Sequence, residues 1–73
     1  MDRQIVELTI KAHLREIREC LDRAAGIARA AEACSEAGEV EKAVHITLDV
    51  EQLLYEANTL LNAASLINRL AES

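Results

Sequence analysis

The sequence contains no proline, no tryptophan and no phenylalanine, and it has only two glycines and one tyrosine. Without proline, and with so little glycine, few positions can interrupt a helix along most of the chain. No run of β-branched or aromatic residues bounded by turn residues occurs, so we expect no sheet. Alanine, leucine, glutamate, arginine and isoleucine dominate instead, and this composition predicts an all-α protein.

Positive charge is also scarce, because eight Lys and Arg residues face thirteen Asp and Glu residues, for a formal net charge of −5. This balance disfavours non-specific binding to nucleic acid or to an anionic membrane. The opening MDRQIVEL has no basic region followed by a long apolar run, so we expect no signal peptide. Acidic residues interrupt the apolar stretches, so we expect no membrane span. A length of 73 residues predicts a single domain, 1–73.

Cysteine occurs only at Cys20 and Cys34. On one helix these residues lie roughly 21 Å apart, whereas a disulfide needs Cα atoms within about 7 Å. Two free thiols without a secretion signal predict a reducing, cytoplasmic location. Neither cysteine belongs to a C-x-x-C motif or has a basic neighbour on its own helix face. We therefore interpret both as small core residues and not as redox centres.

A heptad repeat organises both halves of the chain. The second half has small residues at position a and large residues at position d: Ala43, Val50, Ala57, Ala64 and Ala71, beside Ile46, Leu53, Leu60 and Ile67. The first half has its own a row, Ile10, Ile17, Ala24 and Ala31, and its own d row, Val6, His13, Cys20, Ile27 and Cys34. Such rows are typical of helices that pack closely along their length, as in a coiled coil.

One break separates the two halves. Gly38 suits the left-handed residue that follows a helix, and Asp2 suits the N-cap of the first helix. The prediction is an antiparallel two-helix hairpin, with helix 1 at about 3–37, a turn at Gly38 and helix 2 at about 40–71. Residues of the a and d rows whose numbers sum to 77 then lie opposite each other, and residues at position e pair at a sum of 75.

Position e adds an apolar row along one side of this hairpin. We call it the leucine face, and it consists of Leu14, Leu21, Ala28, Thr47, Leu54 and Leu61. Two helices cannot enclose a core, and a chain this short has little stability to spare. The sequence therefore predicts that two hairpins meet on the leucine face as a four-helix bundle, a homodimer with a tetramer as the larger alternative.

A second apolar set lies outside the predicted core rows of helix 2. Val44, Leu48 and Tyr55 share one stripe, which we call the helix-2 patch. Tyrosine is favoured at interfaces because its ring buries area while its hydroxyl stays hydrated. The patch is a candidate contact for another protein or for pairing two dimers.

Few residues suggest chemistry. His13 lies in a d row and is a weak candidate ligand for a metal or haem, but no second histidine and no glutamate accompanies it in the core rows. The inward Glu and Glu-x-x-His pattern of di-iron bundles is absent. No catalytic triad order and no glycine-rich phosphate loop occurs. We predict a non-enzymatic interaction or scaffold protein without a cofactor, with a His13-bound metal or haem as one alternative.

The other alternative is RNA binding. Lys11, Arg15 and Arg18 lie at i, i+4 and i+7 on an outer face of helix 1, and we call them the basic strip. A dimeric hairpin bundle with a basic helix face resembles, in overall plan, the Rop family of plasmid copy-number proteins. That resemblance implies binding of paired RNA loops through helix 1. Glu19 and Asp22 interrupt the strip, so a solvated helix face is the competing interpretation.

Overall fold

The computed structural model describes residues 2–72, and that part of the chain is helical throughout except at its caps and turns. Helix α1 spans Arg3–Glu36, α2 spans Val40–Thr47 and α3 spans Asp49–Glu72. Helices α2 and α3 continue along one line and pack against α1, so the predicted all-α hairpin is confirmed. The Cα atoms fill a rod of 54 × 14 × 12 Å, a single layer two helices wide.

The first helix begins at a side-chain cap. Asp2 is extended, with φ −69° and ψ 120°, and its carboxylate accepts hydrogen bonds from two amides of the first turn. Oδ1 lies 2.8 Å from the Gln4 nitrogen and 3.4 Å from the Ile5 nitrogen. These are amides that have no carbonyl partner inside the helix, so the cap stabilises the helix start.

The turn after α1 is a Schellman motif. Gly38 has φ 92°, in the left-handed region that side chains rarely adopt. The Glu39 amide donates to the Cys34 carbonyl at 3.1 Å, and the Gly38 amide donates to the Ser35 carbonyl at 3.0 Å. This pair of bonds satisfies the last carbonyls of α1 and reverses the chain direction. The turn therefore lies at Gly38, as predicted, and Gly38 has the predicted left-handed conformation.

The second helical segment is interrupted at Leu48, where the sequence predicted one helix from about 40 to about 71. Leu48 keeps right-handed angles of φ −60° and ψ −25°, but its amide is shared between the Val44 and His45 carbonyls. The Glu51 amide then donates to the Leu48 carbonyl in a tighter turn. Thr47 Oγ1 donates to the Ala43 carbonyl at 2.9 Å directly before this break, but the same kind of bond from Thr9 and Thr59 lies within uninterrupted helices.

Small side chains occupy the seam between the helices. Seven apolar residues are buried, namely Val6, Cys20, Ala24, Ala31, Ala43, Ala57 and Ala64, and all lie at predicted a or d positions. The large d residues of the second half, from Ile46 to Ile67, are only half-buried. Within residues 2–72 no side chain is less than 2% exposed. The helices therefore approach closely, but the seam alone does not enclose a large apolar side chain.

Candidate interaction surfaces

The leucine face is exposed along the length of the hairpin. Leu14, Leu21, Leu54 and Leu61 retain 53%, 46%, 50% and 54% of their accessible surface. Ala28 and Thr47 are exposed as well. All six predicted interface residues thus lie on the surface of the single chain, in contrast to the buried seam beneath them.

Two shallow grooves, one at each end of this face, indicate which residues of the two helices lie side by side. Near the turn, one groove of about 420 Å³ is lined by residues that include Ala28, Ser35, Val40 and Thr47. Near the chain ends, a groove of about 450 Å³ brings Glu7 and Asn68 together. In both grooves, these residues come together from the two helices in pairs whose numbers sum to 75. The same sum, applied between the grooves, places Leu14 beside Leu61 and Leu21 beside Leu54.

The surface of the chain is large for its mass. A compact monomer of 8.0 kDa exposes about 4,450 Å² by the usual scaling, whereas this chain exposes 5514 Å². The surplus is roughly 1,100 Å², and a standard protein interface covers about 800 Å² on each partner. The surplus is therefore larger than the area that one partner of a standard interface covers. Covering one broad face of the hairpin would bring its exposed area close to that of a compact monomer.

The basic strip is partly neutralised within α1. Arg18 Nη1 lies 2.8 Å from Asp22 Oδ2, and Arg18 Nη2 lies 3.8 Å from Glu19 Oε1. No salt bridge within residues 2–72 involves Lys11 or Arg15, which are exposed on the same helix. The strip therefore offers two uncompensated cations per chain, where the sequence suggested three.

The helix-2 patch is a surface feature of the single chain. Val44, Leu48 and Tyr55 are 58%, 57% and 67% exposed. Val44 and Leu48 also line the groove near the turn, beside Ala28 and Thr47. The patch therefore adjoins the leucine face at the turn end and is not a separate island.

His13 is half-buried and is held by its own helix. Nδ1 lies 2.8 Å from the Thr9 carbonyl, to which it donates. Among residues 2–72 there is no group of three or more His, Cys, Asp or Glu side chains placed to hold a metal ion. The absence of a bound metal or haem at His13 remains a prediction.

Cys20 differs from its sequence interpretation in one respect. It is buried as expected, at 4% exposure. Its thiol, however, has a basic neighbour: Arg23 Nη2 lies 3.9 Å from Sγ, and Glu56 Oε2 lies 3.7 Å away on the other helix. The expectation that Cys20 has no basic neighbour on its own helix face is therefore wrong, and the thiol lies between Arg23 of its own helix and Glu56 of the opposite helix.

Cys34 lies at the turn and interacts with Glu39. Sγ is 3.4 Å from Glu39 Oε2 and 3.7 Å from the Glu39 carbonyl oxygen. Partial burial raises the pKa of the Cys34 thiol, and the hydrogen bond and negative charge of Glu39 raise it further, against a smaller opposite effect of Lys42. Both cysteines are free thiols.

Some exposed apolar residues were not singled out from the sequence. Ile5, Leu8, Leu66 and Leu70 are 63%, 60%, 49% and 53% exposed near the chain ends, and Val40 is 61% exposed at the turn. Each occupies a heptad position outside a and d, and that pattern was the available signal. Val40 lines the groove near the turn and so borders the leucine face, whereas the other four are scattered, as exposed apolar residues normally are.

No protein-family model, curated protein or solved structure significantly matches this chain. Within residues 2–72, no helix has the length and apolar character needed to cross a bilayer.

Proposed function

We propose that this chain is a small non-enzymatic interaction protein that works as a homodimer, with two hairpins packed on their leucine faces as a four-helix bundle. The single observation that supports this is the contrast between seam and face. The seam buries alanines, while four leucines on one side remain about half exposed. A two-helix layer reaches a normal core only when a second layer covers it.

The energy of this assembly depends on the leucines. Covering the exposed half of each leucine contributes about 1 kcal/mol, because full burial is worth about 1.5–3 kcal/mol. Eight leucines in a dimer then contribute roughly 8 kcal/mol to the association. The dimer should therefore be sensitive to loss of even half of them.

The test is a charge-insertion pair with a matched control. Leu21→Glu with Leu54→Glu removes four of the eight leucines and forces four carboxylates into the interface. We expect at least a thousandfold weaker self-association, since about 4 kcal/mol corresponds to that factor. Leu8→Glu with Leu66→Glu makes the same chemical change at similarly exposed positions outside the leucine face and should leave the dimer intact.

Sedimentation equilibrium measures the outcome directly. A wild-type chain that stays a folded monomer of about 8 kDa at micromolar concentration contradicts the proposal, as does equal dissociation of both double variants. A thermal midpoint that rises with protein concentration in the wild type alone supports it, because dimerisation stabilises by mass action.

A further inference from the structure

We infer that the two copies meet with their turns at the same end of the bundle, so that α1 of each copy lies against α2 and α3 of the other. This inference rests on the proposed dimer and adds its orientation. Two-fold symmetry allows two stacked arrangements of flat hairpins: turns together, with the axis parallel to the helices, or turns opposed, with the axis across them.

The order of side chains along the leucine face separates these arrangements. From the chain ends to the turn, the face presents a polar layer of Glu7 and Asn68, two leucine layers, then Ala28 beside Thr47. With turns together, every layer meets its own counterpart. Leucine layers then contact leucine layers, and the polar layer stays with polar neighbours at the end of the bundle.

The opposed arrangement cannot match these layers without a cost. Leucine meets leucine only if Leu14 lies against Leu21 of the second copy. The same shift places Glu7 against Ala28, and a carboxylate beside an apolar surface loses hydration without gaining a partner. It also sets Arg18 near the two-fold axis, opposite its own counterpart, where like charges repel.

Charge at the rim favours the same choice. Arg18 lies at position b, next to the leucine face, and its guanidinium is already directed to Asp22 and Glu19 of its own helix. With turns together, the level of Arg18 matches Asn58 of the second copy, a neutral polar side chain. Beside the leucine face, no side chain at position b then lies opposite a side chain of the same charge in the second copy.

One consequence concerns the basic strip. With turns together, the two α1 helices occupy diagonal corners of the bundle and are not neighbours. The two copies of Lys11 and Arg15 then lie on opposite sides of the molecule. A continuous basic surface built from both α1 helices, on which the RNA-binding alternative depends, does not form.

Pulsed dipolar EPR tests the orientation. A nitroxide is attached to Glu36→Cys, an exposed site beside the turn, in a Cys20→Ala, Cys34→Ala background. With turns together, the labels should lie roughly 20–35 Å apart, a distance set by diagonal helices and outward side chains. With turns opposed, they lie about 37 residues apart along the axis, roughly 55 Å at 1.5 Å per residue.

Asn62→Cys, at an exposed position near mid-length, is the control label because both arrangements predict a short distance there. A short distance at both labels supports the inference. A short distance at position 62 with a long one at position 36 overturns it while leaving the dimer standing. No dipolar interaction at either label means that no dimer forms, and the proposed function fails with it.

Lysine crosslinking of the unmodified protein gives an independent measurement, so the result does not depend on the cysteine-free background. Lys11 and Lys42 are the only lysines in the chain. Between copies they lie roughly 36 Å apart along the axis with turns together, and roughly 16 Å apart along the axis with turns opposed. A short crosslinker should therefore give no Lys11–Lys42 product, and abundant formation of that product overturns the inference.

Discussion

At the scale of single residues, the size of the side chains in the seam matters more than their hydrophobicity. Five of the seven buried residues are alanines, and the large residues beside them keep substantial exposure. Small side chains allow the helix backbones to approach, and close approach is what shields those alanines from water. Side chains much larger than alanine therefore do not fit at these positions.

Ala57→Leu tests this constraint. Ala57 is 7% exposed in the seam, so a larger side chain must push the helices apart and should cost about 1–3 kcal/mol of the free energy of unfolding. Asn62→Ala, at an exposed outer position, should be nearly neutral. Urea unfolding at a fixed protein concentration measures both, and equal shifts would show that the heptad assignment is wrong.

The Cys34 thiol allows a test of local electrostatics. Because burial and Glu39 raise the pKa of this thiol, less thiolate is present at mildly alkaline pH than for an unperturbed cysteine, and alkylation should be slower. In a Cys20→Ala background, Glu39→Gln should move the midpoint of the pH–alkylation profile to lower pH. Glu36→Gln removes a carboxylate that does not contact the thiol and should leave the midpoint in place. A midpoint unaffected by Glu39→Gln would mean that this contact does not control the thiol.

At the scale of the elements, the two glycines have opposite roles. Gly26 lies inside α1, where an added Cβ would meet only Arg29 Nη2 at 3.8 Å, an ordinary contact. Gly38 has nothing within 4 Å of an added Cβ, but its φ of +92° strains any side chain. Space limits neither position, so the backbone conformation decides the effect of a substitution.

The same substitution at the two sites should therefore have opposite signs. Gly26→Ala should stabilise the protein by about 0.5–1 kcal/mol, because alanine favours the helix. Gly38→Ala should destabilise it by about 1–2 kcal/mol, because the left-handed conformation is costly for alanine. Chemical unfolding at one protein concentration compares them, and destabilisation by Gly26→Ala would indicate an unseen contact at that face.

The sequence predicted the large features of these elements and missed finer ones. Heptad rows, the Asp2 cap and Gly38 each depend on residue type and spacing, which can be read directly. The break at Leu48 could not be predicted, because no glycine or proline marks it and the threonine before it makes the same bond to the backbone as threonines inside the intact helices. The contact of Arg23 with Cys20 was missed because a long side chain can choose between neighbours on its own helix and across the seam.

At the scale of the whole molecule, the helix-2 patch raises the question of a larger assembly. Val44 and Leu48 border the groove near the turn, whereas Tyr55 lies two turns further along and is 67% exposed. A dimer on the leucine face would leave Tyr55 uncovered. We therefore propose the patch as a contact for a partner protein or for a second dimer.

Leu48→Glu with Tyr55→Glu tests that proposal. The double variant should keep the dimer but lose any tetramer seen by sedimentation velocity or any captured partner. If it unfolds, the patch belongs to the primary core and the dimer face is misplaced. If it matches the wild type in both measurements, these residues are inert surface.

The repeating seam has a consequence for how the length of this molecule can change. Each heptad adds about 10 Å of rod. Removing seven residues from α1 and the seven opposite them from α3 keeps alanine rows, leucine face and turn in phase, and yields a shorter rod with the same cross-section. Removing three residues from one helix instead rotates everything beyond the cut by about 60°, because each residue turns by about 100°. The rod can therefore be shortened or lengthened only by whole heptads, and only by the same number of residues in α1 and α3.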